Sequence, residues 1–269
     1  MKARWPLVVI ALWAVLAFVA PVLPLTPNRI ALESMLQGPS AEFWFGADEL
    51  GRPVFDRLIA GARLSFIVAT SVVTLSAVAG TLLGATAAYL GGWADGLLSR
   101  LVDVFLAFPG ILLAIALSAV LGPGTGNLVI ALSLAGWVGY ARLARAQVLS
   151  LKQRDHVAAA IALGAGRGRI IVRHLIPLIV APLIVEATFG VAAVIVAEAG
   201  LSFLGLGAQP PTASWGSMIR EGTRYMLVAP HLVLVPGIAI MLVVLAVNLA
   251  GDWLQDRIAG RRTVATGRA

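Results

Sequence analysis

Six stretches of this 269-residue chain are long and apolar enough to cross a bilayer, roughly Leu7 to Leu25, Leu64 to Leu90, Leu101 to Leu121, Leu128 to Leu149, Leu178 to Ala199 and Leu232 to Leu249. Hydrocarbon offers no hydrogen bonds, so a segment inside it must pair its own backbone groups. None of these runs shows the apolar–polar alternation of a barrel strand, and each is predicted to be a helix. The fold class expected is an all-α membrane protein with six transmembrane helices. Only 12% of the residues are charged and 59% are hydrophobic, against about 25% charged in an ordinary soluble domain. That balance excludes a soluble globular protein. The chain has no cysteine, which removes disulfides, thiolate metal sites, iron–sulfur clusters and cysteine nucleophiles together.

Charge then orients the chain. With the N-terminus taken as inside, fourteen basic and five acidic residues fall on the inner side, and six of each on the outer side. Lys and Arg are retained in the cytoplasm, so both termini are expected there. The same rule accounts for the formal net charge of +7, and no nucleic-acid partner is inferred. Lys2 and Arg4 precede the first run as in a signal peptide, but Phe18 and Pro21 stand where a cleavage site after Ala20 would want small residues and no proline. The first span is therefore read as an uncleaved signal anchor. In the fourth run the purely apolar part ends at Arg142, so Arg142 and Arg145 are expected to snorkel toward water.

Helices in lipid associate through close backbone approach at small residues and through polar pairs. Ser76, Gly80, Gly84 and Ala88 recur every four residues in the second run. They form either a packing face or the wall of a conduit, packing being the main reading. Pro109, Pro182 and Pro236 each remove a helical hydrogen bond and permit a bend.

One connector carries more pattern than a linker needs. Ser150 to Pro177 reads SLKQRDHVAAAIALGAGRGRIIVRHLIP. Asp155 is a good N-cap, Val157 to Leu163 is helix-forming, and Gly164 or Gly166 can stop that helix in a left-handed turn. A second helix from Arg167 to Pro177 would complete a hairpin with small alanines at its tip and Arg167, Arg169 and Arg173 on its return arm. Such a tip suits close approach by another protein, and its basic arm also suits anionic headgroups.

On the other side, Asp48 is expected to cap a short interfacial helix with Leu50, Val54, Phe55, Leu58 and Ile59 on its apolar face and Arg52, Asp56 and Arg57 wet. After the fifth run, Gly200, Gly205 and Gly207 with Pro210 and Pro211 break the helix, yet Leu201, Phe203, Leu204 and Leu206 are too apolar for open water. A folded-back turn at the outer mouth satisfies both. Ionisable residues within spans are functional candidates. Asp103 is assigned to an ion pair with Arg100, three residues back. Glu198 is placed near the outer end, within reach of water. Glu186 lies deeper and either lines the conduit or bonds a neighbouring subunit. The two glutamates, about 18 Å apart along a helix and about 120° around it, are no acid/base pair.

Histidines 156, 174 and 231 are far apart, so no metal site is assigned; His174 is assigned to completing the hairpin. No GxxxxGK[ST] phosphate loop occurs, so no ATP or other cofactor is expected on this chain. Two alternatives are weighed. An intramembrane serine protease would use Ser202 and His231, but Phe203 follows the serine and no oxyanion donor is evident. A self-sufficient secondary transporter would show internal repeats, and no convincing one is found.

The Ser150 to Pro177 segment resembles the cytoplasmic EAA loop of ABC importer permeases. Ala159 and Ala160 match its two alanines, Gly164 its glycine and Pro177 its proline. Ala158 stands where the glutamate is expected, while Asp155 fits the acidic position of the EYV-like triplet of the peptide and nickel branch. FGADELGRPVFDRLIAGARLS, RLVDVFLAFPGILLAIAL and AEAGLSFLGLGAQPPTASWGSMI look like the C-type permease of dipeptide, oligopeptide and nickel importers. The resemblance covers nearly everything from Phe45 to Arg257.

It implies an inner-membrane, multi-pass permease subunit forming half of the pathway for peptides or a related solute such as a nickel chelate. The partners implied are a second homologous permease, two cytoplasmic ATPases holding ATP and Mg, and an external solute-binding protein that supplies most of the specificity; membrane lipid surrounds them. The chain itself would be no enzyme. Coupling would fall to Asp155, Ala159, Ala160, Gly164, Arg167, His174 and Pro177, and the outer gate to the turn with Ser202, Phe203 and Gly205. Glu186 and Glu198 are the candidate pathway residues. The organisation expected is 1–61 as signal anchor and outer segment, 62–257 as permease core and 258–269 as basic cytoplasmic tail.

Overall fold

The computed structural model describes residues 4–266, with side chains as far as Ile258. Its helices are α1 (Arg4–Val19), α2 (Val54–Leu90), α3 (Gly92–Leu106), α4 (Gly110–Leu121), α5 (Thr125–Leu151), α6 (Asp155–Ala162), α7 (Arg167–Arg169), α8 (Ile176–Phe203), α9 (Trp215–Thr223) and α10 (His231–Thr266). A π-helical stretch, Ile170–Leu175, joins α7 to α8. Among the described residues five segments are long and apolar enough to cross a membrane; four include the expected second, fourth, fifth and sixth runs, and the first, Arg4–Val22, stops three residues short of the expected end at Leu25.

The third run departs from expectation. Leu101 to Leu121 is not one helix: α3 and α4 meet at an angle of 86°. Pro109 has no amide to donate and its ring disfavours helical backbone at Phe108, so α3 stops where the Ala107 amide bonds the Asp103 carbonyl (3.0 Å). The bent pair makes a sixth span if it crosses as one. Pro182 and Pro236, by contrast, lie inside unbroken α8 and α10.

The separate interfacial helix capped by Asp48 is also absent. Its apolar residues from Val54 onward form the first turns of α2, which runs unbroken for 37 residues. Gly51 (φ 72°) turns the chain just before it, and the Asp48 carboxylate bonds the amides of Leu50 and Arg52 (both 2.9 Å) in the preceding loop.

The chain resolves into two compact units. One comprises Met1–Ser71, Ile115–Leu132 and Val191–Ala250. Its core gathers Trp13, Val54, Ile195, Trp215, Leu232 and Val243. Two buried indoles anchor neighbouring helices to α2, Trp13 Nε1 donating to the Ala62 carbonyl and Trp215 Nε1 to the Leu58 carbonyl, each at 3.0 Å.

The other unit comprises Val72–Ala114, Ser133–Gly190 and Gly251–Ala269. Here the small-residue face of α2 packs on α5. Ser76 Oγ donates to the Ser133 carbonyl (3.3 Å), and a Cβ on Gly80 or Gly84 would overlap the carbonyls of Trp137 and Ala141 respectively. The packing reading holds there. Lys152 Nζ donates to the Ala88 carbonyl (2.8 Å), placing a cation on the last turn of α2. The Arg100–Asp103 pair does not form, since Asp103 faces a cavity instead. Arg145 does not simply snorkel: its fork grips Asp95 with two bonds of 2.6 and 2.7 Å, a bidentate geometry that fixes α3 to α5.

Candidate functional site

The hairpin forms from local signals. Arg154 (φ −80°, ψ 151°) occupies the N-cap position, so Asp155 is the first helical residue rather than the cap. The Arg154 side chain makes no capping bond, but the Asp155 carboxylate in the first turn suits the positive end of the helix dipole. At the far end the Ala165 amide bonds the Ala160 carbonyl (3.0 Å) and the Gly164 amide bonds the Ile161 carbonyl (2.9 Å). With Gly164 at φ 78°, this is a Schellman turn, which needs a residue free of the left-handed penalty. Gly164 is therefore the stop, and Gly166 (φ −67°) starts the return arm.

α6 packs on the π-helical stretch, burying Val157 and Ala160 from one side and Ile170, Ile171 and Leu175 from the other. The opposite face stays bare. Ala158, Ala159 and Ala162 are exposed, and so are Ile161 (53%), Leu163 (89%) and Val172 (62%). The matched alanines thus divide, Ala160 facing in and Ala159 out. Arg167, Arg169, Arg173 and Pro177 are exposed and His174 is half-buried.

The turn after α8 uses the same stop. Gly205 sits at φ 84°, with Leu206 N–H on the Leu201 carbonyl (2.9 Å) and Gly205 N–H on the Ser202 carbonyl (3.1 Å). Here the chain is tied to itself: the Gly124 amide bonds the Gly207 carbonyl (3.0 Å), and Gln209 Nε2 bonds the Gly205 and Gly207 carbonyls (3.0 Å each). Phe203 remains 41% exposed.

Glu198 does not reach water. It is 1% exposed, accepting from Ser65 Oγ (3.0 Å) and Ser202 Oγ (2.8 Å), so each carboxylate oxygen has a hydroxyl partner. Ser202 is thereby committed to a carboxylate. Among the described residues it makes no bond to His231, whose Nε2 has no partner, and the geometry of a base-activated serine is not present.

A second polar cluster escaped the sequence reading. Arg52 and Arg57, expected to be wet, are 7% and 2% exposed. Arg52 bonds Asp48 (2.7 Å), Glu49 (2.9 Å) and Glu221 (3.2 Å), while Arg57 bonds Asp48 (3.3 Å) and Glu221 (2.9 Å). The three acids approach within 4.8 Å of one another, and two guanidiniums already pair with them. Burial pushes the Glu49 carboxyl above its ordinary range. Asp56 accepts from the Thr26 amide (2.7 Å). Only the local DELGR run could have hinted at this cluster, since Glu221 lies 164 positions from Arg57.

Glu186 is half-buried and borders a cavity of about 560 Å³ together with Asp103 and Arg142.

Residues 80–264 match the family described as binding-protein-dependent transport system inner membrane component. Over 253 residues the chain is 45% identical to the dipeptide transport system permease protein DppC of Alkalihalophilus pseudofirmus, covering 94% of this chain and 83% of that one. Over 231 residues it is 44% identical to the glutathione transport system permease protein GsiD of Escherichia coli O157:H7 and of Shigella sonnei, covering in each case 86% of this chain and 76% of that one. The protease and secondary-transporter alternatives are set aside by these matches. The chain belongs to the binding-protein-dependent transport inner-membrane components, the multi-pass permease subunits of ABC importers, in which ATP hydrolysis resides on a separate subunit.

Proposed function

We propose that this permease passes peptides, with dipeptides and glutathione as the nearest solute types, and that its α6 hairpin is the seat of the ATPases. The names of the similar permeases favour peptides over a nickel chelate. The observation that carries the coupling role is the bare apolar tip, where Leu163 is 89% exposed on a turn fixed by Gly164. An apolar knob on a rigid turn is costly in water and suits a groove on a partner. From Arg167 the return arm continues helically as far as Phe203, so a push on the hairpin is delivered to α8.

In this reading two cytoplasmic ATPases hold ATP and Mg, a second homologous permease completes the pathway, and an external binding protein delivers the solute. Asp155, Ala159, Ala160, Gly164, Arg167, His174 and Pro177 form the coupling element. Glu186, Glu198, Ser202, Phe203 and Gly205 belong to the pathway or its outer gate, Glu198 and Ser202 by bracing one another. Both termini face the cytoplasm. Residues 1–61 are the anchor and outer segment, 62–257 the core and 258–269 a basic tail whose side chains from 259 on lie outside the described residues.

Gly164→Asp tests the assignment. A Cβ at φ 78° strains the turn and the charge spoils the apolar tip, so uptake by the assembled transporter should be abolished while membrane insertion is retained. Wild-type uptake by this variant would remove the hairpin from the mechanism.

A further inference from the structure

Three charged side chains that the coupling mechanism does not use share one cavity. Asp103 on α3, Arg142 on α5 and Glu186 on α8 border a space of about 560 Å³ that also touches Ser99 and Gly139. Among the described residues, none of the three enters a salt bridge. Asp103 and Arg142 are exposed and Glu186 is half-buried in this subunit, and ionisable groups that face a cavity between membrane helices mark solute or ion pathways. Arg145 also lines the cavity, but both arms of its fork are committed to Asp95. The charges left to face a solute are two carboxylates and one guanidinium.

The volume falls within the roughly 300–1,000 Å³ of small-ligand sites. The wall is shaped for its charges. A Cβ on Gly139 would stand 3.0 Å from Glu186 Oε1, so the missing side chain lets this carboxylate lie against the α5 backbone at the cavity edge. A guanidinium presents a planar fork to a carboxylate, and carboxylates accept from an ammonium. A solute carrying both poles is the chemical complement of this lining.

We propose that this cavity is a contact site for the solute on this subunit and that it favours small zwitterions, Arg142 taking the carboxylate and Asp103 with Glu186 the ammonium. The inference rests on reading the chain as a peptide permease and names what that permease touches. Contacts of this kind hold a solute loosely enough to let it go, as conduction requires.

The chain lacks cysteine, so Ser99→Cys puts a single thiol of this subunit on the cavity wall. In the assembled, reconstituted transporter, dialanine should slow labelling of that thiol by a charged thiosulfonate reagent. Adding Arg142→Gln should remove the protection and lower dialanine uptake about tenfold, roughly the loss of one charge-assisted hydrogen bond. Arg142→Lys, which keeps the charge without the fork, should recover part of both signals and serves if the Gln variant fails to assemble. Unchanged uptake in Arg142→Gln, or labelling indifferent to dialanine in the wild-type background, overturns the proposal while leaving a peptide permease intact. Absence of dialanine uptake by the wild-type assembly overturns the peptide reading and this inference with it.

Discussion

The turns at Gly164 and Gly205 end their helices with one backbone device and differ in what surrounds it. Both glycines take positive φ, 78° and 84°, and both close the same pair of amide-to-carbonyl bonds. Around Gly205 the molecule folds onto itself: Leu201 and Ser202 are fully buried, and an added Cβ would meet Arg220 Nη1 at 2.7 Å. Around Gly164 nothing lies within 4 Å of an added Cβ, and Leu163 is 89% exposed. A stop that is stapled to its own chain closes a structure. The identical stop left bare presents one, and in the proposed coupling role a partner covers the apolar side chain it presents.

Substitutions sharpen that contrast, beginning with the largest loss of stability. On the stapled side, Arg57→Ala leaves buried Asp48 and half-buried Glu221 with one guanidinium between them. Breaking a buried ionic network in this way costs about 3–5 kcal/mol, which thermal unfolding of the detergent-solubilised permease would register. A cost below about 1 kcal/mol would mean that Arg52 alone compensates the acids. Next comes Gly205→Ala, which carries about 1–2 kcal/mol for a left-handed residue and must also displace Arg220. Gly164→Ala carries the backbone cost alone, about 1–2 kcal/mol. Unfolding of the two alanine variants, measured side by side, isolates the contribution of Arg220. Equal losses would show that this arginine swings aside freely, and the stapled turn would then be no tighter than the bare one.

What could be read from the sequence follows the range of the forces involved. The spans were legible because hydrocarbon demands an unbroken apolar run, and the hairpin because Gly164 and Pro177 punctuate it locally. The cap shifted by one residue, from Asp155 to Arg154, within the ordinary play of helix ends. By sequence Pro109 permits a bend, but whether a proline bends a helix or breaks it depends on what the neighbouring turns pack against, and here it breaks α3 from α4. The long-range polar pairs were not legible. Glu198 owes its burial to Ser65, 133 positions away, and Arg57 owes its own to Glu221. No local spacing encodes such partners, and sequence alone puts both residues in reach of water.

Leu163→Ser should produce the smallest structural effect and the clearest functional one. The side chain is 89% exposed and lies outside the packed face of α6, where Val157 and Ala160 carry the contact with the π-helical stretch. Its removal should change unfolding by no more than about 0.5 kcal/mol, the usual range for a surface position. If the tip fills a groove on an ATPase, the same change removes a buried leucine from that interface, and Leu-to-small truncations in packed sites cost about 2–5 kcal/mol. Co-purification of the ATPases with the permease should then fall by at least about tenfold, while Gly205→Ala, despite its larger loss of stability, should leave it intact. Should the two variants show the opposite order, the bare turn would be closing a structure after all, and the distinction between the two glycine stops would collapse.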